Sequence, residues 1–155
     1  MTQPVTRRKL VGDLALGAFA LTGVARWAHA AVQGEALVVY KDPNCECCAK
    51  WVQHMKANGF KPSVTETAQV DAIKKRYHVG DELRSCHTSV VGGYVIEGHV
   101  PAADVKRLLR EKPKVVGLTI PGMPASAPGM DITPPQPYQV LAFDEKGKTT
   151  VYARH

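Results

Sequence analysis

The sequence lacks a dense patch of basic residues and has only a small excess of positive charge. Its formal net charge is +6, but four of the twenty Lys and Arg residues and one of the fourteen acids fall within the first thirty positions. The rest of the chain carries sixteen bases against thirteen acids, or about +3. Because binding to phosphate backbones depends on closely spaced cations, nucleic acid is not expected as a partner. The basic run at 74–76 is expected on the solvated face of a helix.

The chain also lacks an uninterrupted apolar stretch that is long enough to span a membrane. A spanning helix needs about twenty consecutive apolar residues, and the apolar segment at 10–24 is interrupted or bounded by Asp13 and Arg26. A basic start, this apolar segment and the sequence Ala28-His29-Ala30 are instead typical of a cleaved export signal. We therefore expect residues 1–30 to be removed in the periplasm, which leaves residues 31–155 with no stable membrane anchor.

The beginning of the export segment indicates the export route. Residues 6–11, Thr-Arg-Arg-Lys-Leu-Val, resemble the twin-arginine motif. The weak hydrophobicity of the segment and the position of Arg26 favour the same route. A protein exported in this way crosses the membrane folded, so its thiols can be reduced or loaded with metal beforehand.

The pattern of apolar residues in the mature chain predicts alternating strands and helices. An apolar run with high β propensity predicts a buried first strand, and the spacing of Trp51, Val52 and Met55 predicts the first helix. Gly92-Gly93 predicts a tight hairpin, and Pro101 is typical of a helix start. The predicted order, β-α-β-α-β-β-α, is that of a thioredoxin, so the fold class is α/β with a sheet flanked by helices. The predicted segments are 36–40, 47–58, 63–66, 70–77, 88–91, 94–97 and 101–112.

Residues 114–155 have no counterpart in that order and form a predicted family-specific C-terminal extension. Residues 121–137 are rich in Pro and Gly and include Met123. Residues 138–143 and 149–152 predict a final β-hairpin that turns at Lys146-Gly147. We expect a Pro, Gly and Met loop and this hairpin to form a flap beside the thioredoxin-like domain. No internal repeat is evident.

The four cysteines carry the strongest chemical signal, because three of them are crowded into Cys45-Glu46-Cys47-Cys48. Cys45 and Cys48 form a CxxC pair at the predicted start of the first helix, where free N–H groups and the helix dipole favour the thiolate. Cys47 is not needed for a dithiol–disulfide cycle, so its presence favours a soft metal ion that binds additional sulfur. Copper(I) is the natural candidate in the periplasm.

The fourth cysteine, Cys86, is expected to meet the other three in space. In a thioredoxin-like fold the loop that enters the strand at 88–91 packs against the start of the first helix, so Cys86 and His87 should face the cysteine loop. Two alternatives remain open beside a metal site. The thiols could form two structural disulfides, or Cys45 could act as the nucleophile and Cys48 as the resolving thiol of an oxidoreductase. Zinc is a weaker metal candidate.

Several motifs together resemble the CopG-like family of periplasmic copper-resistance proteins, long catalogued as a family of unknown function. The resemblance extends from about Leu37 to the C-terminus. It implies a thioredoxin-like fold that gathers copper on four cysteines, which match Cys45, Cys47, Cys48 and Cys86, and a role in interconverting Cu(I) and Cu(II). The motifs are Tyr-Lys-Asp-Pro-Asn-Cys-Glu-Cys-Cys at 40–48, Ser-Cys-His-Thr at 85–88, Val-Gly-Gly-Tyr-Val-Ile-Glu-Gly-His-Val-Pro at 91–101 and Pro-Gly-Met-Pro at 121–124.

Histidine and methionine supply further candidate ligands. Copper(II) prefers imidazole to thiolate, and His87 is the first candidate because it adjoins Cys86, with His99 as the second. Met123 offers a thioether that suits copper(I), and its flexible loop could place it over the cysteines. The other histidines of the mature chain are expected at the surface or, at the C-terminus, to be mobile: His54, His78 and His155.

The sequence therefore predicts a periplasmic copper-binding protein of copper resistance. It would hold Cu(I), in a multinuclear cluster since four thiolates can bridge several ions, and interconvert Cu(I) and Cu(II). Its expected partners are copper ions and other periplasmic copper-resistance proteins. The alternatives are a thiol–disulfide oxidoreductase that uses Cys45 and Cys48, and a metallochaperone that transfers copper without changing its oxidation state.

Overall fold

Strands and helices alternate up to the third strand, which forms a hairpin with the fourth and is followed by a third helix and three more strands, in a computed structural model that describes residues 34–130 and 132–155. The predicted export signal at 1–30 lies outside the described residues. A single 3₁₀ turn at Asp81–Leu83 precedes the third strand. The elements are β1 Ala36–Lys41, α1 Glu46–Ala57, β2 Lys61–Glu66, α2 Val70–Arg76, β3 Thr88–Val91, β4 Tyr94–Glu97, α3 Ala102–Glu111, β5 Gly117–Thr119, β6 Gln139–Phe143 and β7 Thr149–Arg154.

Seven strands form one sheet in the order β2-β1-β3-β4-β5-β6-β7. Strands β1 and β2 are parallel, and α1 supplies the crossover connection that parallel neighbours need, whereas β3 runs antiparallel to both β1 and β4. The first four strands, with α1 and α2 in their connections and α3 following β4, have the thioredoxin arrangement. The predicted α/β fold, a thioredoxin-like sheet flanked by helices, is confirmed.

The direction of the strands brings distant loops to one edge of the sheet. Strand β1 ends where β3 begins, because Tyr40 of β1 pairs with Thr88 of the antiparallel β3. Strand β4 ends at the same edge, since its Glu97 also pairs with Thr88, and β5 runs parallel to β4. Four segments therefore lie side by side at this edge: the one after β1, the one before β3, the one after β4 and the one after β5. Three of these four segments contain cysteine or histidine.

The predicted element boundaries agree closely with the structure in the thioredoxin-like part. The hairpin β3–β4 has the predicted bounds and turns at Gly92-Gly93, whose φ angles are +54° and +84°. Helix α1 begins one residue before its predicted start and is followed by Asn58 as the C-cap. Strand β2 is two residues longer than predicted.

The C-terminal extension differs from the prediction of a flap. The hairpin β6–β7 forms as predicted, but it continues the main sheet through β5, a strand that the sequence analysis did not predict. Strand β5 is three residues long and fully buried, too short to give a periodicity signal. The hairpin is thus an integral part of the fold, and Val140, Ala142 and Phe143 lie in the buried interior.

Helix α2 contains a second correction. The run 74–76 is predicted on a solvated helix face, and Lys75 and Arg76 are exposed there, but Lys74 is only 3% exposed. Its ammonium group forms a 2.5 Å ion pair with the buried Glu97 at the end of β4. The larger apolar residues of this helix and its C-cap, Val70, Ile73 and Tyr77, are half-buried. The ion pair with the buried Glu97 therefore determines which side of this short helix faces the interior.

The main hydrophobic core contains residues of α1, α3 and the sheet. Trp51 and Met55 of α1 are fully buried, as are Val105 and Leu108 of α3, in agreement with the helical spacing. No helix in the described part of the chain is both long enough and apolar enough to cross a membrane.

Candidate metal centre

The turn between β1 and α1 places the three clustered cysteines. Asp42 shapes this turn, because its side chain accepts a 2.8 Å hydrogen bond from the Asn44 N–H and its carbonyl accepts one of 3.1 Å from the Cys45 N–H. Cys45 is the N-cap of α1 and provides no side-chain cap to the helix. The positive end of the helix dipole therefore faces the cysteine sulfurs, an environment that favours thiolates and their complexes with metal ions.

The sulfur atoms of the four cysteines all lie within 4.8 Å of one another. Cys48 is fully buried, whereas Cys45, Cys47 and Cys86 are half-buried. The Sγ atoms of Cys45 and Cys47 are 3.6 Å apart. The predicted meeting of Cys86 with the helix-start cysteines is therefore present in the structure.

The structure holds Cys45 and Cys48 as a disulfide, with their Cα atoms 5.4 Å apart. Cys47 and Cys86 are free thiols. The alternative of two structural disulfides is thus not what the structure contains. A complete four-thiolate donor set requires that the Cys45–Cys48 bond be reduced.

Two buried imidazoles extend the group of donors into the protein. One ligand atom each from Cys48, Cys86, His87 and His99 also lies within 4.8 Å of the others. The Nδ1 atom of His87 is 3.3 Å from the Cys86 sulfur, and its Nε2 has no hydrogen-bond partner among the described residues. His99 Nδ1 lies 2.7 Å from the Pro128 carbonyl, which can only accept, so this nitrogen carries a proton and donates it to the carbonyl. A backbone carbonyl that fixes the tautomer in this way is typical of metal-binding histidines.

Burial keeps two of the metal-free donors, Cys86 and His87, uncharged. Burial, followed by the nearby Cys47, raises the pKa of the Cys86 thiol to about 12. Burial also lowers the pKa of His87 well below its usual value, and His99, Lys74 and Lys41 act in the same direction. His87 is therefore a neutral imidazole at pH 7 with a lone pair available on one nitrogen. A metal ion that binds Cys86 has to displace a proton.

The Pro- and Gly-rich loop after β5 covers one side of this centre. Gly129 packs on the backbone of α1: an added Cβ would lie 2.8 Å from the Trp51 nitrogen and 3.1 Å from the Cys47 oxygen. Gly122 is bound to the segment before Cys86, since its carbonyl accepts a 2.6 Å hydrogen bond from the Ser85 hydroxyl. Met123 follows directly but is 55% exposed. The loop thus approaches the cysteines through its glycines, and a thioether ligand from Met123 stays a prediction.

The remaining histidines have separate roles. His54 is half-buried and accepts a 3.1 Å hydrogen bond from the Ala102 N–H at the start of α3, so it is not a simple surface residue. His78 is exposed as predicted. His155 was expected to be mobile, but it lies 2.7 Å from the buried Asp104 carboxylate and stacks on Tyr138. Pairing along β6 and β7 aligns the C-terminus for these contacts.

The sequence ranks His99 behind His87 and indicates no site role for Glu97, whereas the geometry places both residues at the centre. His99 follows β4 by two residues, and the available signal was its position within the motif at 91–101. Glu97 is fully buried and bonds to both sides of the Cys86-His87 segment. In the sequence, Glu97 stands out only as a charged residue at the end of an apolar strand.

The donor set has a clear chemical preference. Four sulfurs and two buried imidazoles, gathered at the edge of a sheet and partly shielded from water, suit soft or borderline metal ions such as Cu(I) and Zn(II). Imidazole also suits Cu(II), so the combination can accommodate copper in two oxidation states.

Comparisons with families and curated sequences give one match. Residues 83–130 match a family model described as "Protein of unknown function, DUF411". No curated protein sequence matches the chain.

Two solved structures resemble this fold over most of its length. "Copper resistance protein copG- Form 1" is 41% identical, with a TM-score of 0.74, over 79% of this chain and 98% of that one. "Copper resistance protein copG- Form 2" is 42% identical, with a TM-score of 0.75, over 79% of this chain and 99% of that one. At this identity and coverage the chain belongs to the CopG family of copper resistance proteins.

Proposed function

We propose that this protein serves copper resistance by binding Cu(I) as its cargo on Cys45, Cys47, Cys48 and Cys86. The observation that carries the proposal is the convergence of four sulfurs within 4.8 Å at the positive end of α1. Thiolates are the preferred protein ligands of Cu(I), and four of them in so small a volume can bridge more than one ion. The names of the two similar structures support copper as the metal.

The histidines extend the proposal to Cu(II). His87 is the adjacent imidazole donor, because it is buried, neutral and 3.3 Å from the Cys86 sulfur. Met123 is proposed as an outer thioether donor that would have to turn inward from its exposed position. The protein would act in the periplasm after removal of residues 1–30, and other copper-resistance proteins there would exchange copper with it.

The disulfide supports a role in interconverting the two oxidation states. When the thiolates of Cys45 and Cys48 close to a disulfide they release two electrons, which reduce two Cu(II) ions to two Cu(I) ions. The remaining thiols, Cys47 and Cys86, and the imidazole of His87 stay as donors in the oxidised protein. Reduction of the disulfide by an external dithiol would complete the cycle.

A second candidate function rests on the same disulfide. Cys45 is half-buried and Cys48 fully buried, which is the usual arrangement of the attacking and resolving thiols of an oxidoreductase. In that function the substrates would be the thiols and disulfides of other proteins, and Cys47 and Cys86 would be dispensable.

Substitution of the two thiols outside the disulfide separates the functions. Cys47→Ser and Cys86→Ser should each weaken Cu(I) binding by more than the roughly 10- to 100-fold that loss of an outer contact costs a metal site. A serine hydroxyl is a harder and far less acidic donor than a thiol, so it cannot restore the bridge. The measurement is competition with a chromophoric Cu(I) chelator on anaerobically reduced protein, with copper and thiols counted in each sample.

The matched control is disulfide exchange measured on the same two variants. Exchange should persist, because Cys45 and Cys48 are intact. His78→Gln, a change at an exposed histidine away from the donors, should leave copper binding unchanged. Copper binding that is unaffected by both serine substitutions would reject the four-sulfur site and favour the oxidoreductase.

A further inference from the structure

A buried carboxylate lies directly behind the segment that carries Cys86. Glu97 is fully buried at the end of β4. Its Oε1 accepts a 2.7 Å hydrogen bond from the Ser85 N–H, and its Oε2 accepts one of 2.7 Å from the Thr88 hydroxyl. Ser85 and Thr88 are the residues on either side of Cys86-His87. One side chain therefore holds both ends of the dipeptide that supplies the distant sulfur and a buried imidazole.

A buried lysine completes this arrangement. Lys74 of α2 donates to Glu97 Oε1 at 2.5 Å and to the Thr88 hydroxyl oxygen at 3.2 Å. The ammonium group compensates the carboxylate charge and fixes the orientation of the Thr88 hydroxyl, which then has Glu97 as its acceptor. Gly98 adds a backbone bond of 2.9 Å from its N–H to the His87 carbonyl. These contacts thus all hold the same short segment.

Stability alone does not account for an ion pair at this place. Burying two charges is expensive, and apolar residues of similar size are often at least as stabilising. The strand pairing between β3 and β4 already holds the Thr88 backbone opposite Glu97. The carboxylate adds what strand pairing cannot provide, namely a bond to Ser85, which lies in the loop before β3.

We propose that Glu97, supported by Lys74, is a positioning residue that fixes Cys86 and His87 toward the cysteines of α1 before a metal ion binds. The inference rests on the proposed function, because it describes how the distant ligands of that site are oriented. Without the carboxylate, Ser85 and Thr88 would lose their common acceptor. Cys86 would then occupy several positions in the metal-free protein, and binding would have to select one of them.

Two substitutions test the contact from both sides. Glu97→Gln keeps the length of the side chain but replaces one acceptor oxygen by a donor, and Thr88→Val removes the hydroxyl while keeping the shape. Both should weaken Cu(I) binding about tenfold or more in chelator competition, as loss of an outer contact does at other metal sites. X-ray absorption of the Cu(I)-loaded protein should show fewer sulfur ligands per copper than in the wild type.

Two controls distinguish positioning from general damage to the fold. Thr88→Ser restores the hydroxyl and should recover most of the affinity that Thr88→Val loses. Asp104→Asn changes the other buried carboxylate of the described residues, which pairs with His155, and should leave copper binding unchanged. Thermal unfolding establishes which variants are folded. If Glu97→Gln does not fold, the Thr88→Val and Thr88→Ser pair decides.

An alkylation experiment on the metal-free protein keeps this inference separate from the proposed function. With Cys45 and Cys48 oxidised, Cys47 and Cys86 remain as free thiols. Peptide mass spectrometry gives the alkylation rate of each thiol. Cys86 should be alkylated faster in Thr88→Val than in Thr88→Ser or the wild type. Equal rates, or wild-type copper binding in folded Thr88→Val, would overturn the positioning role. Absence of Cu(I) binding by the wild type would instead overturn the proposed function.

Discussion

At the scale of single residues, Trp51 shows how one side chain connects the core to the candidate metal centre. It is fully buried, and its indole N–H donates a 2.9 Å hydrogen bond to the Val100 carbonyl. The centre of its ring lies 4.4 Å from that of His87. The helical spacing of the sequence predicts the burial of Trp51 correctly. The hydrogen bond and the imidazole contact depend on loops that are 36 to 49 residues away in the sequence.

Shortening Trp51 in two steps should separate packing from hydrogen bonding. Trp51→Ala should lower the free energy of unfolding by about 3 to 5 kcal/mol, since it empties a large buried volume. Trp51→Phe should cost about 1 to 3 kcal/mol, because it keeps a ring but removes the donor to the Val100 carbonyl. Urea denaturation of the metal-free variants measures both values. Copper stoichiometry in the folded fraction should be unchanged, and its loss would show that Trp51 helps to form the site.

At the scale of elements, the loop after β5 depends on glycine where it meets α1. Gly129 has φ = +87°. Its Cα lies so close to the backbone of α1 that an added Cβ would be 2.8 Å from the backbone nitrogen of Trp51. Gly122 in the same loop has φ = +70°, but an added Cβ would meet nothing within 4 Å. Both residues use a backbone conformation that favours glycine, and only Gly129 also needs the space.

Alanine substitutions at Gly122 and Gly129 therefore form a matched pair of variants. Gly122→Ala should cost about 1 to 2 kcal/mol for the left-handed backbone alone. Gly129→Ala should cost more, because the loop also has to move away from α1. Cys47 should then be alkylated faster, since its carbonyl lies under Gly129. Urea denaturation and alkylation rates provide the comparison, and equal effects of the two substitutions would contradict the close packing of Gly129 on α1.

At the scale of the whole molecule, His54 links helices α1 and α3 and makes stability depend on pH. Its Nε2 accepts a hydrogen bond from the first N–H of α3, so the ring has to be unprotonated on that nitrogen. Burial lowers its pKa in the folded protein. The unfolded chain, in which histidine titrates near pH 6.5, therefore binds a proton at mildly acidic pH that the folded chain does not. Stability contributed by this group is present above about pH 6.5 and is lost as the pH falls.

His54→Gln should reduce this pH dependence. Glutamine can still accept from the Ala102 N–H, but it does not titrate. Between pH 7.5 and pH 5 the wild type should lose more stability than the variant, by at most about 1.4 kcal/mol per pH unit for one proton. The free energy of unfolding of metal-free protein across this range gives the result. Parallel curves would show that His54 titrates alike in both states.

Much of the architecture follows from local sequence patterns. Short-range periodicity predicts α1, α3 and the hairpin β3–β4 within a residue or two, because apolar spacing, turn glycines and helix starts act over a few residues. Once these elements have the thioredoxin order, the antiparallel direction of β3 brings Cys86 to the start of α1. The central feature of the candidate site was therefore predictable from the chain alone.

Only the tertiary structure decides which polar groups become partners inside the fold. The burial of Lys74 depends on Glu97, 23 residues later, and no pattern within α2 can show it. The inclusion of β6 and β7 in the main sheet likewise depends on β5, which is too short to have a period. The sequence thus determined the elements other than β5 and the convergence of the four cysteines, since these follow from local spacing and the order of the elements. The ion pair, the place of His99 and the packing of Gly129 were decided by contacts between residues that are far apart in the chain.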